Sequence, residues 1–114
     1  MIKLSILMMR RSDLTYEQFI QHWREIHGPL FAAQPESKHY VRRYIQDHST
    51  GDALPGTTVS TFDGVAEIWF DNMSGAKAFF ESDGYKNNVV PDEEAFMDRE
   101  RCELLYTHEH TVMA

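Results

Sequence analysis

The chain has 114 residues, 42% hydrophobic and 25% charged, with a formal charge of −7 and one cysteine. That length and balance suit one compact soluble domain over 1–114 and exclude a disordered chain. Lys and Arg occur singly or as the pairs Arg10-Arg11 and Arg42-Arg43, which argues against nucleic acid or a membrane surface as partner.

Residues 2–9, IKLSILMM, form a β-prone run, too short to cross a bilayer, which takes about 20 apolar residues. With no signal-like N-terminus, and with Cys102 lacking a second cysteine to bridge, the expected location is cytoplasmic. A helix follows with two start signals: Thr15 and Gln18 at capping-box spacing, and Leu14 and Phe19 as a hydrophobic staple. Tyr16, Phe19, Ile20, Trp23, Ile26 and His27 recur at helical spacing, and Gly28-Pro29 is expected to stop the helix.

Residues 39–48, HYVRRYIQDH, alternate as a strand, with Tyr40, Arg42, Tyr44, Gln46 and His48 on one face. The stretch 49–63 has no sustained period and is long for a connection, which suits a lid or an edge cover. GVAEIWFD at 64–71 is a third strand with Val65, Glu67 and Trp69 in one phase. A helix over 72–84 follows, capped by Asn72 or Ser74 and closed at Gly84. PDEEAFMD is a short helical turn with acids in its first turn, and 99–110 form the last strand.

The order β-α-β-β-α-β is that of a ferredoxin-like α+β fold, a four-stranded antiparallel sheet with helices on one face. Leu7, Met9, Tyr44, Val65 and Trp69, with either Leu105 or the pair Leu104 and Tyr106, would lie on the uncovered face. So much bare apolar surface implies a partner, most simply a second copy packed sheet to sheet, enclosing space for a small hydrophobic ligand.

Among residues that could carry chemistry, His27 ends the stripe of Ile20 and Trp23, where a helix C-terminus would favour its protonated form. Both an acid or base and a hydrogen-bonded structural histidine fit that place. Tyr44, Gln46 and His48 offer donors, acceptors and an aromatic wall to a planar polar ligand. Glu67, between Val65 and Trp69, either has a raised pKa in apolar company or pairs with Arg42 across the sheet. His108 and His110 would share a strand face but have no third ligand, so no metal site is expected. No phosphate-cradling glycine motif occurs, and no cofactor is expected.

The blocks Phe19, Trp23, His27, Gly28, Pro29 and Arg42, Arg43, Tyr44, Gln46, His48, with DGVAEIWFD and EAFMD in the same order, resemble the EthD family, named for ethyl tert-butyl ether degradation. The resemblance runs from the first strand to the last. It implies a dimeric α+β barrel of two ferredoxin-like subunits. The wider superfamily includes cofactor-free monooxygenases of aromatic polyketides or quinols, muconolactone isomerases and haem-degrading enzymes.

Three functions follow as expectations. In a monooxygenase- or isomerase-like enzyme on a hydrophobic cyclic metabolite, His27 would be the catalytic acid or base, and Trp23, Tyr44, Gln46, His48, Glu67 and Trp69 would bind substrate. A non-catalytic binding or accessory protein would use His27 and Tyr44 as anchors. A haem protein would use His27 or His48 as axial ligand.

Overall fold

The computed structural model describes residues 1–114. One antiparallel sheet has the order β2-β3-β1-β4, built from β1 (Ile2–Met8), β2 (Val41–His48), β3 (Gly64–Phe70) and β4 (Glu103–Thr107). Five short helices pack on one face: α1 (Tyr16–His22), α2 (Gly28–Ala33), α3 (Pro35–Tyr40), α4 (Met73–Phe80) and α5 (Val90–Phe96). The ferredoxin-like order expected from the alternation is the one observed. No helix is long and apolar enough to cross a membrane.

Register decides which side chains the helices cover. Leu4 is level with Ile68 and Tyr106, Ile6 with Ala66 and Leu104, and Tyr44 with Ile68, so all of these face the helix layer. The open face carries Leu7, Ile45, Val65, Trp69 and Leu105 among Lys3, Arg43, Asp47 and Glu67. Two placements are thereby corrected and one open alternative is decided. Tyr44 lies on the covered face, Met9 is buried beyond the end of β1, and of the two β4 alternatives it is Leu105 that lies on the open face.

The start of α1 is as its sequence dictates: Thr15 accepts from the Gln18 N–H while the Gln18 side chain accepts from the Thr15 N–H. Its end is not. Instead of stopping at Gly28-Pro29, the chain passes through a π-helical turn, Trp23–His27, into α2, and the stop comes at Gln34, extended before Pro35. In a regular helix Pro29 would lack an N–H and press on the carbonyl four residues back. Here the Gly28 N–H bonds the Trp23 carbonyl, five residues back, and the turn widens ahead of the proline.

The same device recurs at the second π turn, Tyr85–Val89, where the Val90 N–H bonds the Tyr85 carbonyl just before Pro91. Because Val90 is not a glycine, the widened turn is the common cause. Gly84 leads into this turn and does not close α4, which is capped by Asn72 and ends at Phe80. The wider turn also rotates the register: His27 stays buried while Ile26, expected on the apolar stripe, is 52% exposed.

β2 begins later than expected because residues 35–40 are helical and a bulge falls between Val41 and Arg43. The bulge throws Arg42 out of phase with Tyr44, and its guanidinium pairs with Asp71 at 2.9 and 3.0 Å. The last strand is also shorter than 99–110, since Arg99–Arg101 is a 3-10 turn.

Candidate functional site

The first π turn and the start of α5 meet at Asp92. Its carboxylate lies 2.8 Å from His27 Nδ1 through one oxygen and 2.8 Å from His22 Nε2 through the other. Phe96, one turn on, lies against both rings, at 4.7 Å from His22 and 4.9 Å from His27 between centroids. His27 is only 4% exposed, and burial lowers its pKa even though Asp92 pulls the other way. The expectation of a protonated ring at a helix C-terminus is therefore overturned: the helix continues past His27, so no orphan carbonyls gather there.

Trp23 is fully buried and held by three of the residues picked from sequence. Its indole N–H donates to the Tyr44 hydroxyl at 3.0 Å, and its carbonyl accepts from Gln46 Nε2 at 2.9 Å. The His48 ring lies 5.1 Å from the indole and bonds Gln46 Oε1 at 2.9 Å. Gln46 thus supplies a second donor to the carbonyl at which the π turn closes. Gly28 lets it approach, since a Cβ there would sit 3.0 Å from Gln46 Nε2. Burial pushes the Tyr44 phenol up to about 12, so it stays protonated as an internal hydrogen-bonding group.

A cleft with a mainly apolar wall lies elsewhere on the covered face, between α4, α5 and β4. It has a volume of about 530 Å3, and Ile6, Phe80, Tyr85, Cys102, Leu104 and Tyr106 line it beside Glu93 and Arg99. Glu93 is 8% exposed; both its oxygens lie 3.0 Å from the Tyr85 hydroxyl, which donates, and Arg99 Nε stands 3.3 Å from one of them. Burial pushes its carboxyl up to about 7, with Tyr85 and Arg99 opposing and Asp92 and Glu94 adding to the rise. A carboxyl that is part acid and part base at neutral pH, set among aromatic rings, is equipped for proton transfer. Burial raises the Cys102 thiol, which keeps it protonated. Another cleft, at Arg11, Asp13, Glu94, Asp98 and Glu100, has only Met97 as an apolar residue and offers a hydrophobic ligand no wall.

The structure brings Trp23, His27, Tyr44, Gln46 and His48 to the helix side of the sheet, but separates them from Glu67 and Trp69, which lie on the open face. Glu67 pairs with Lys3 at 3.2 Å, not with Arg42. Trp69 lies under the Arg43 guanidinium, 4.8 Å from the ring centroid, and donates its indole N–H to Glu109. His108 and His110 fall beyond the end of β4. Sequence reasoning missed Glu93, Tyr85 and Arg99. Glu93 lies four residues after Val89, three before Phe96 and four before Met97, all buried, so a carboxylate on an apolar stripe was the available signal.

A four-stranded antiparallel sheet in ferredoxin-like order, with an acid-bearing cleft under its helices, defines the class: a small α+β protein of ferredoxin-like fold. The EthD domain matches residues 11–100, and the chain belongs to the EthD family. It is similar in structure to an EthD family protein of Bacillus halodurans C-125, with 22% identity, 96% of this chain and 99% of that one covered, and a TM-score of 0.71. A putative antibiotic biosynthesis monooxygenase from Nitrosomonas europaea is similar at 15% identity, 96% and 98% coverage and a TM-score of 0.61. A dimeric protein of unknown function with a ferredoxin-like fold, from Bacteroides fragilis NCTC 9343, is similar at 14% identity, 95% coverage of each chain and a TM-score of 0.60. No curated protein matches the sequence.

Proposed function

We propose that the chain is a homodimeric, cofactor-independent enzyme that moves a proton on a hydrophobic cyclic metabolite, in the manner of a monooxygenase or isomerase. The observation that carries this reading is Glu93, buried in an apolar cleft with its carboxyl near neutrality. The ionised form takes a proton from a ring carbon made acidic by a neighbouring carbonyl or phenol, and Tyr85 and Arg99 steady the carboxylate before the transfer. Returning that proton to another carbon isomerises the ring. With dioxygen present, the carbanion is oxidised: a CH2 and O2 give C=O and water, the substrate supplying all four electrons.

His27, paired with Asp92 next to Glu93 in sequence, serves in this reading as a positioning residue that fixes the first turn of α5. The monooxygenase-like branch draws on the similarity to the Nitrosomonas europaea protein. The homodimer draws on the apolar open face and on the Bacteroides fragilis protein described as dimeric.

The test is exchange of ring hydrogens for deuterium, followed by NMR in heavy water over a panel of anthrones, quinols and cyclic ketones, with and without oxygen. The wild type is expected to exchange at least one panel member with a rate rising through pH 7, and Glu93→Gln to lose about 10² to 10⁴ in rate. Ligand bound tightly but never exchanged would instead make the protein a carrier.

A further inference from the structure

A second cleft abuts the first. It has a volume of about 480 Å3 between α4 and β4 and is lined by Met73, Ser74, Lys77, Glu81, Phe80 and Tyr106. The last two also line the Glu93 cleft, so two aromatic rings are walls common to both. Glu93 and Arg99 line only the first of these clefts, and Ser74 and Lys77 only the second. Lys77 takes no part in the ion pairs of the molecule, so its ammonium is not tied to a carboxylate.

From this we infer that the site takes an elongated substrate, an aromatic or enolisable ring carrying an unbranched hydrocarbon chain, with the ring at Glu93 and the chain running past Phe80 and Tyr106 into the second cleft. The inference rests on Glu93 marking the ring end, as proposed above.

The physical case is one of matched surfaces. The middle of the groove is aromatic, and the far cleft adds the Met73 side chain and the methylene stem of Lys77, which can lie along a chain while the ammonium stays in water. Ser74 and Lys77 at the outlet let a polar chain end reach solvent. A compact ring without a chain would leave Phe80 half-covered and the second cleft wet, forfeiting the contact area that gives a small apolar ligand its affinity.

The experiment is a binding series of para-alkylphenols from methyl to octyl, read by tryptophan-independent calorimetry on the full chain, for the wild type, Ser74→Trp and Glu93→Gln. Ser74 is exposed on α4 and is not part of the Glu93 cleft, so filling the outlet there leaves the ring end intact. Affinity is expected to climb by about fourfold per added methylene until the second cleft is full, then level off. Ser74→Trp should flatten that climb and leave the methyl compound unchanged.

Affinity independent of chain length, or a climb untouched by Ser74→Trp, overturns the elongated substrate. Failure of the Glu93 reading shows separately: the methyl compound would then bind with the same affinity and the same pH dependence in wild type and Glu93→Gln. Binding that falls as soon as the chain passes ethyl would mean that the rings of Phe80 and Tyr106 close the groove, which also overturns the inference.

Discussion

His27 and Asp92 come from opposite halves of the chain and meet at 2.8 Å, joining the first π turn to the first turn of α5. The same carboxylate holds His22, so removing it strips two rings at once, one of them almost wholly buried. Asp92→Ala should cost about 2–3 kcal/mol, the penalty for leaving a buried donor unsatisfied. Asp92→Asn, which keeps one acceptor, should cost less. Urea unfolding of the two variants and of His27→Ala checks this, and the Asp92→Ala and His27→Ala losses should fall short of adding, because each removes the same bond.

His27 also predicts an acid limb in stability. Its folded pKa is lowered by burial, so the folded state binds its proton less readily than the unfolded chain does. The stabilisation is complete above the ordinary histidine value of about 6.5 and is lost as pH falls through the lower folded value. A His27→Gln variant, neutral throughout, should be less stable than wild type at pH 8 but lose less on going to pH 5. Melting temperatures at the two pH values give the comparison.

Much of the fold follows from local signals that agree with one another. Thr15 and Gln18 cap α1 as their spacing requires, and the alternation in β1 and β3 assigns the buried faces, because a strand has only two. The π turns were not legible, since a bond to the fifth residue back leaves the hydrophobic period almost intact while moving Ile26 outward. Gly28-Pro29 consequently has the look of a stop. The bulge at Arg42 is equally silent in sequence, yet it decides that Arg42 pairs with Asp71. Tyr44, Gln46 and His48 were recognisable as an unusual polar set, but not as a bracket for Trp23, because that depends on a carbonyl that only the π turn presents to Gln46. Glu93 was masked by its neighbours: in Asp92-Glu93-Glu94 three acids suggest a helix dipole effect, and only its spacing from the buried Val89, Phe96 and Met97 sets Glu93 apart.

Gln46 and Gly28 should prove to be coupled. Gln46→Ala removes the side-chain donor from the Trp23 carbonyl and should cost about 1 kcal/mol, in the range of a typical internal hydrogen bond. Gly28→Ala places a methyl 3.0 Å from Gln46 Nε2, so the amide must withdraw and a similar loss is expected. In the double variant the methyl no longer meets the amide, and only its contact with the Trp23 carbonyl at 3.3 Å remains. The double variant's loss of stability should then fall short of the sum of the two single losses, which a denaturant-based double-mutant cycle resolves.

Glu93 should set an alkaline limit on stability, opposite in sign to the usual buried salt bridge. Its carboxyl is raised to about 7 in the folded protein by burial, against about 4.3 in an unfolded chain. The folded state therefore holds this proton more tightly. Its contribution is fully present below about pH 4.3 and is lost as pH climbs through about 7, after which the penalty for an ionised buried carboxylate is complete. Glu93→Gln, which cannot ionise and can still accept from the Tyr85 hydroxyl, escapes that penalty. It should gain on wild type by on the order of 1–3 kcal/mol at pH 8, after allowance for the lost Arg99 contact, and by little or nothing at pH 4.5. A substitution that abolishes turnover while raising the melting temperature only above neutrality would mark Glu93 as a residue held in place for its chemistry at a cost in stability. A variant destabilised at both pH values would show that its bonds to Tyr85 and Arg99 outweigh its burial.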